Sequence, residues 1–341
     1  MSTNTRRPAP TVNDFLKQYK GLKVAVTGGN GFIGSLLAEK LVTAGAYVSI
    51  IDNRIDEKIG SIVNSERLTV YETDITEYAS LAPAIENTDI VFHTASAISN
   101  YFSESDSFNI LNTEIIGVLN VLSLAAREKV KRIVLASSSL VYNKTQNPEK
   151  PIAEARTFPV PALAKLVAEE YCRAFYKKYN LDYAILRYFN VYGPGQNDNS
   201  VISRFISEVS NHKPFFNPNG EWRTGDFIYI EDAVNMSLIA GLKEEAGHQV
   251  LDIGTGNSTS VIELASLVTH AYDKDQAINL EYTDMEEMPS TENEVDLPVA
   301  DISKTRKLLQ YRPQVSLESG IKKYLDWYRN KNIREANTNP E

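Results

Sequence analysis

The chain has 341 residues, and 35 basic against 44 acidic side chains leave a formal net charge of −9. Its 43% hydrophobic and 23% charged content is ordinary globular usage, which excludes a disordered or fibrous chain, and an acidic balance without a basic stripe excludes a nucleic-acid or anionic-membrane binder. A single cysteine, Cys172, excludes an internal disulfide framework, and no uninterrupted apolar run reaches the roughly 18 residues of a membrane span. The Arg6-Arg7 pair has no apolar stretch behind it, as a secretory signal requires. The expectation is a cytoplasmic protein acting on small molecules, long enough for two domains or one domain with a smaller lobe.

Short β-branched runs alternate with helical patterns from Leu22 onward. Strands are predicted at Lys23–Thr27, Tyr47–Asp52, Leu68–Tyr71, Asp89–Thr94, Arg132–Ser137 and Asp182–Arg187. Helices fill the gaps: Ile33–Ala44, a long one over Phe108–Lys129, and another over Ala162–Tyr179. Nearly continuous apolar strands alternating with helices predict an α/β fold, a doubly wound parallel sheet covered on both faces, with ligands bound beyond the carboxyl ends of the strands. After Tyr188 the rhythm loosens into turn clusters at 217–220 and 254–257 and an acidic loop over Thr283–Pro298. Helices return at Ser303–Leu309 and Leu317–Arg329. This divides the chain into an N-terminal extension (1–20), a Rossmann-type domain (21–188, with 226–258 returning to it), a smaller α/β lobe (189–225 and 259–330) and a C-terminal tail (331–341), both ends being polar enough to fray.

The first strand runs through Thr27 into Gly28-Gly29-Asn30-Gly31-Phe32-Ile33-Gly34 and straight into a helix. Gly29, Gly31 and Gly34 satisfy GxGxxG, and Gly28, Gly31 and Gly34 the related GxxGxxG spacing. Glycine allows the tight turn, the approach of backbone to a pyrophosphate, and close helix–strand packing, while the helix N-terminus offers unpaired N–H groups. Asp52, eighteen residues after Gly34, ends the second strand, where a carboxylate accepts hydrogen bonds from ribose hydroxyls and repels a 2′-phosphate. The predicted cofactor is therefore NAD, with Arg54 leaving NADP as the alternative.

Taken in order, several segments resemble the extended short-chain dehydrogenase/reductases, specifically the NAD-dependent nucleotide-sugar epimerase/dehydratase family. They are Thr27–Gly34, Asp74-Ile75-Thr76, Val91–Ser96, Asn112-Thr113 through Gly117 to Asn120-Val121, and Val130-Lys131-Arg132 through Ser137–Tyr142. Leu186–Gly195, Asp226–Asp232 and Asp252–Gly256 complete the set. The resemblance runs from about Lys23 to Tyr328. It implies a Rossmann-type sheet with a smaller substrate lobe, and a homodimer built on the two long helices. Phe32, Ile33 and Asn53 would then join the glycines and Asp52 around the cofactor. Asp74 and Ile75 would hold the adenine, and His93, Thr94, Ala95 and Ser96 would line the nicotinamide half. Asn112 would lie in the helix behind the active site. Ser138 takes the place of the catalytic Ser or Thr, Lys165 that of the lysine on the nicotinamide ribose, and Asn190 and Arg223 those of substrate contacts.

Three positions depart from the family pattern. The general base of the family is a Tyr four residues before the Lys, one helical turn away, and here that residue is Pro161. Gly225 stands where an Arg pairs with the substrate diphosphate, with Arg223 two residues earlier in a segment that carries one extra residue. Thr291 stands where a second such Arg is expected. The sequence leaves three readings open: an atypical NAD-dependent epimerase or dehydratase oxidising a sugar carbinol, a catalytically silent NAD-binding protein, and an enzyme on a non-nucleotide substrate.

Other candidates have plainer readings. Tyr142, Tyr101, Glu154 and Tyr192 are conceivable substitute acid/bases, although packing or surface roles suit each better. His93, His212, His248 and His270 show no metal-ligand spacing, and Asp284, Glu286, Glu287, Glu292 and Glu294 read as a solvated loop, so no metal site is expected. Cys172, near Phe175 and Tyr176 on a helix, reads as a packed thiol.

Overall fold

The computed structural model describes residues 11–56, 59, 62–97, 106–142, 160–196, 200–211, 224–272 and 298–338. Seven parallel strands form one sheet: β1 (Lys23–Thr27), β2 (Tyr47–Asp52), β3 (Leu68–Glu72), β4 (Ile90–His93), β5 (Arg132–Ser138), β6 (Tyr183–Tyr188) and, after three short strands of the lobe, β10 (Gln249–Ile253). Their order is β10-β6-β5-β4-β1-β2-β3. The chain winds outward from β1 through β2 to β3, then crosses back to β4 and winds the other way. The switch point therefore lies between β1 and β4, where Thr27 pairs with His93. The Rossmann-type doubly wound sheet read from the sequence is the architecture observed. β10 is the one sheet strand not expected, because its Gln-Val-Leu-Asp-Ile run is short and half polar.

Helices cover both faces. On one lie α1 (Val12–Leu16), α2 (Phe32–Thr43) and α8 (Ile230–Leu242), and on the other α3 (Tyr78–Ile85), α5 (Val118–Arg127) and α6 (Val160–Tyr179), while α11 (Leu317–Thr338) packs against the lobe. Core strand residues alternate between the two layers: Val24 and Val26 pack toward the first, Ala25 toward the second. The lobe adds β7 (Asn190–Tyr192) paired with β9 (Phe227–Tyr229), and β8 (Thr224–Gly225) paired with β11 (Thr259–Ser260). With them go α7 (Val201–Ser210), α9 (Val261–Tyr272) and α10 (Ser303–Leu309).

Three expectations need correction. Residues 11–20, assigned to an N-terminal extension, belong to the fold: Tyr19 is fully buried and its hydroxyl donates to Leu238 O at 2.7 Å on α8. Burial of Phe15 and Tyr19 outweighs the polar character of their neighbours. Helix α11 runs through Thr338, into the segment assigned to a tail, because nothing between Leu317 and that point is Pro and the one Gly lies in its first turn. The apolar run from Phe108 is not one α-helix: α4 (Asp106–Leu111) passes into a π-helical turn over Asn112–Gly117 before α5 begins.

Among the described residues, one helical stretch, Phe108–Arg127, is long and apolar enough to cross a membrane. Its apolar residues Val118, Val121, Leu122, Leu124 and Ala125 are spent on the sheet, packed in the second core layer.

Candidate active site

The turn after β1 is built around what a side chain would strike. Gly28 has φ +67°, and a Cβ on it would lie 2.6 Å from the backbone N of Ala95. A Cβ on Gly34 would lie 2.1 Å from the carbonyl oxygen of Gly28. Only glycine lets α2 and the segment after β4 close on this turn together. Gly31 is the N-cap of α2 and supplies no side-chain cap, so the first N–H groups of the helix, beside Phe32 and Ile33, face the turn.

Asp52 sits at the carboxyl end of β2, beside that turn. One carboxylate oxygen accepts from the Asn30 N–H at 3.0 Å and the other from the Arg54 N–H at 3.2 Å. Burial pushes its carboxyl above the ordinary range, only partly offset by these backbone donors. Each oxygen keeps a lone pair for a ribose hydroxyl. Asn53 beside it is exposed. Asp74 accepts from the Thr76 N–H and hydroxyl, both at 2.8 Å, shaping the loop after β3. Asn120 clamps that loop by donating to Ile75 O at 3.0 Å and Thr76 O at 2.8 Å. Thr94 donates to Thr27 O at 2.7 Å. Gly28, Gly31, Gly34, Asp52, Asp74, Ile75, Thr94, Ala95 and Ser96 are thus brought to one edge of the sheet, around the switch point. A glycine cradle against an uncapped helix end, with a carboxylate at the second strand, fits a dinucleotide.

Lys165, on α6, is almost fully buried. Its ammonium lies 2.8 Å from Glu114 Oε2 and donates to Ala136 O at 3.1 Å. Glu114 is 1% exposed, and its other oxygen accepts from the Ser96 hydroxyl at 2.6 Å and the Ala97 N–H at 3.0 Å. Burial alone would raise this carboxyl, but the Lys165 charge and the hydrogen bonds from Lys165 and Ser96 overcome it, and the group stays ionised, below the ordinary range. His93, also buried, shares a 2.7 Å hydrogen bond with Thr27 Oγ1, and its Nε2 has no hydrogen-bond partner among the described residues. Burial first, then repulsion from Lys165, lowers it to about 4, so it is neutral near pH 7.

Glu114 is the residue that sequence reasoning missed. Asn112, expected behind the site, is exposed, and the π turn carries Glu114 inward instead. The signal was there: Glu114 falls in phase with Val118, Val121 and Ala125, a carboxylate on the buried stripe of an apolar helix. π-helical turns concentrate at functional sites. Glu169, fully buried one turn after Lys165, was missed for the same reason. It receives the Arg187 guanidinium at 2.9 and 2.8 Å and the Ser137 hydroxyl at 2.7 Å, which fixes α6 against β5 and β6.

Ser138 ends β5. Its oxygen accepts from the Leu140 N–H at 3.2 Å, leaving its own O–H proton to donate. Pro161 is buried in the first turn of α6, where a missing N–H costs no helical hydrogen bond. The Asn190 side-chain amide donates to Asp226 O at 2.9 Å, which ties β7 to β9 and leaves its second N–H and its carbonyl oxygen for a ligand. Gly225 pairs with Thr259 in the small β8–β11 ladder. Arg223, Thr291, Tyr101, Glu154, His212 and the carboxylates of the 284–294 loop lie outside the described residues.

The tyrosines that remain are poor bases. Tyr142 donates to Asp252 Oδ1 at 2.5 Å, and burial with the Asp252 charge pushes its phenol well above the ordinary value. Burial likewise holds Tyr192 protonated, and pushes Tyr188 up to about 12. Tyr142, Arg187, Asp252, Asp301 and Lys304 line a cavity of about 500 Å³ at the carboxyl ends of β6 and β10. Cys172 is buried and its thiol is raised by burial, a packed group rather than a nucleophile. Among the described residues, no group of three or more His, Cys, Asp or Glu side chains is placed to hold a metal ion.

Comparison with known proteins bears on family and fold. The profile of the NAD dependent epimerase/dehydratase family matches residues 24–254. A UDP-glucuronate 4-epimerase of Thermodesulfobacterium geofontis is 30% identical over 317 residues, covering 89% of this chain and 94% of its own. A UDP-N-acetyl-alpha-D-glucosaminuronate decarboxylase of Bacillus cytotoxicus is 30% identical over 320 residues, covering 89% and 97%. The solved structure of the UDP-glucuronic acid 4-epimerase of Bacillus cereus, in complex with UDP-glucuronic acid and NAD, superposes with a TM-score of 0.80 at 25% identity, covering 91% of this chain and 100% of that one.

Proposed function

The chain belongs to the NAD-dependent epimerase/dehydratase family, and from that premise we propose that it is an NAD-dependent enzyme that transiently oxidises a carbinol of a nucleotide sugar, in a site without the tyrosine base. NAD is the cofactor, as in the solved relatives that hold it. The observation that carries the reading is the joint placement of the glycine cradle, Ser138 and the buried Lys165 along one sheet edge, in the family's order along the chain. Relatives that act on UDP-sugars supply the substrate class.

Bound NAD supplies the hydride acceptor. Ser138 donates its free proton to the reacting oxygen and orients it. Lys165 spends two of its three donors on Glu114 and Ala136, leaving one for a ribose hydroxyl. Pro161 offers no acceptor for the hydroxyl proton, and Tyr142 and Tyr192 are held in their protonated forms. The proton leaves through water or a group on the substrate. The absence of general-base help lowers the rate by roughly 10²–10⁴ relative to a site that has it.

A second reading, a silent NAD-binding protein, is favoured by one observation: Lys165 is locked in a buried pair with Glu114 while the base position is proline. The two readings separate when NAD-loaded protein is incubated with a panel of nucleotide sugars and uronates, and the products are resolved by mass spectrometry and epimer-separating chromatography. New masses or retention times support the enzyme. An unchanged panel, with NAD recovered from the denatured protein, supports the silent form or a substrate outside the nucleotide sugars.

Assembly as a homodimer is part of the proposal. Phe108, at 74% exposed, with Leu111, Ile116, Val160 and Leu163 forms an apolar face on α4, the π turn and the start of α6. Sedimentation of Phe108→Asp should show monomers where the wild type shows dimers, and unchanged dimers would remove this face from the interface.

A further inference from the structure

We infer that Glu114 sets the redox preference of the cofactor site: by neutralising Lys165 it lets the site hold the oxidised, positively charged nicotinamide in preference to the reduced, uncharged one. The inference rests on the reading above, in which the nicotinamide end of NAD lies beside Lys165.

Lys165 is the cation that this reading sets beside the nicotinamide, and it is nearly fully buried, where an uncompensated charge acts over a longer range than in water. Left alone, it would oppose a nicotinium ring and be indifferent to the reduced ring. A carboxylate 2.8 Å away turns the isolated charge into a close dipole, whose field falls off faster with distance. The pair is fixed rather than incidental. Glu114 is anchored through its other oxygen to Ser96 and Ala97 on the segment that follows β4, and Lys165 to Ala136 on β5. His93 adds no charge to the pair, because it is neutral above about pH 4. The ion pair therefore sums to zero between β4, β5 and α6.

The test reads the ratio of the two cofactor forms on the protein. Purified protein is equilibrated with equal amounts of NAD⁺ and NADH, freed of excess by ultrafiltration and extracted, and each form is quantified. Glu114→Gln leaves Lys165 uncompensated, and the bound NAD⁺:NADH ratio is expected to move toward NADH by on the order of tenfold. Lys165→Met leaves Glu114 with its Ser96 and Ala97 donors, and the ratio is expected to move the other way. A purely structural role for the pair would weaken both forms alike and leave the ratio still. If Glu114→Gln does not fold, Lys165→Met carries the test alone, since its carboxylate keeps two partners. Ratios within about twofold of wild type in the folded variants overturn the inference. Wild-type protein that binds neither form overturns the cofactor reading itself, and the inference with it.

Discussion

The glycine turn between β1 and α2 and the first turns of α6 lie along the same edge of one sheet, and they are built to different tolerances. Around the turn, each small residue is dictated by an atom it must not touch: the Gly28 oxygen beside Gly34, the Ala95 nitrogen beside Gly28. On α6, the position that the family resemblance assigns to the tyrosine base is filled by Pro161, and the backbone accepts it without loss because a first helical turn has no hydrogen bond to give up. The difference teaches that holding a dinucleotide and transferring a proton are separable demands on this fold. Steric closure enforces the first. The second rests on a single side chain that packing alone does not require.

The strongest way to sharpen this contrast is the Glu114–Lys165 pair, which belongs to packing and chemistry alike. Both groups are buried, so Glu114→Gln or Lys165→Met should each cost about 3–5 kcal/mol of stability by leaving a charge unpaired, and the double variant should recover most of that. Denaturant unfolding of the four proteins checks it, and additive single costs would mean that the pair is not coupled.

Next comes the turn. Gly34→Ala must displace the Gly28 carbonyl, so a cost of about 3 kcal/mol and loss of co-purifying NAD are expected, read from unfolding curves and from NAD released on denaturation. Retention of a full complement of NAD would break the claim that steric closure makes the cradle. Asp52→Ala should leave the fold intact while lowering NAD affinity by about 10- to 100-fold, the worth of hydrogen bonds to a charged acceptor. Titration with NAD and NADP would show whether the same change relieves discrimination against the 2′-phosphate.

The smallest effect is pH-dependent. Burial raises Asp252 to about 6, so the folded chain keeps this proton to higher pH than the unfolded chain does. The group favours folding below its unfolded value and costs stability progressively as pH rises through 6. Asp252→Asn keeps an acceptor for the Tyr142 hydroxyl and removes that cost. Its unfolding free energy, read from denaturant curves, should gain on wild type between about pH 4 and 6 and hold a lead of about 1–2 kcal/mol above that. A constant difference across the range would mean that Asp252 does not titrate in this window.

The sequence made the cofactor side legible and the catalytic side only in part. Apolar β-branched runs such as Lys23–Thr27 and Tyr47–Asp52 have one buried solution, a central parallel strand, and the glycine turn punctuates them at a fixed place. Pro161 and Gly225 were visible as departures because their neighbours match. Glu114 was legible only as a carboxylate on an apolar stripe; its pairing with Lys165 was not, since that contact depends on a π turn that sits against α6, a tertiary fact that a pattern of apolar residues does not contain. The docking of Tyr19 on α8 and the edge position of β10 are equally non-local, each settled by a partner more than 60 residues away.

The central claim is that position 161 is where proton transfer is missing. Its most direct test is the rate at which reduced nicotinamide absorbance grows when a reactive nucleotide sugar is added to NAD-loaded protein, compared between wild type and Pro161→Tyr. The account predicts slow reduction in the wild type and a gain of roughly 10²–10⁴ in the variant. Equal rates in the two proteins, with reduction occurring in both, would place the base elsewhere and contradict it.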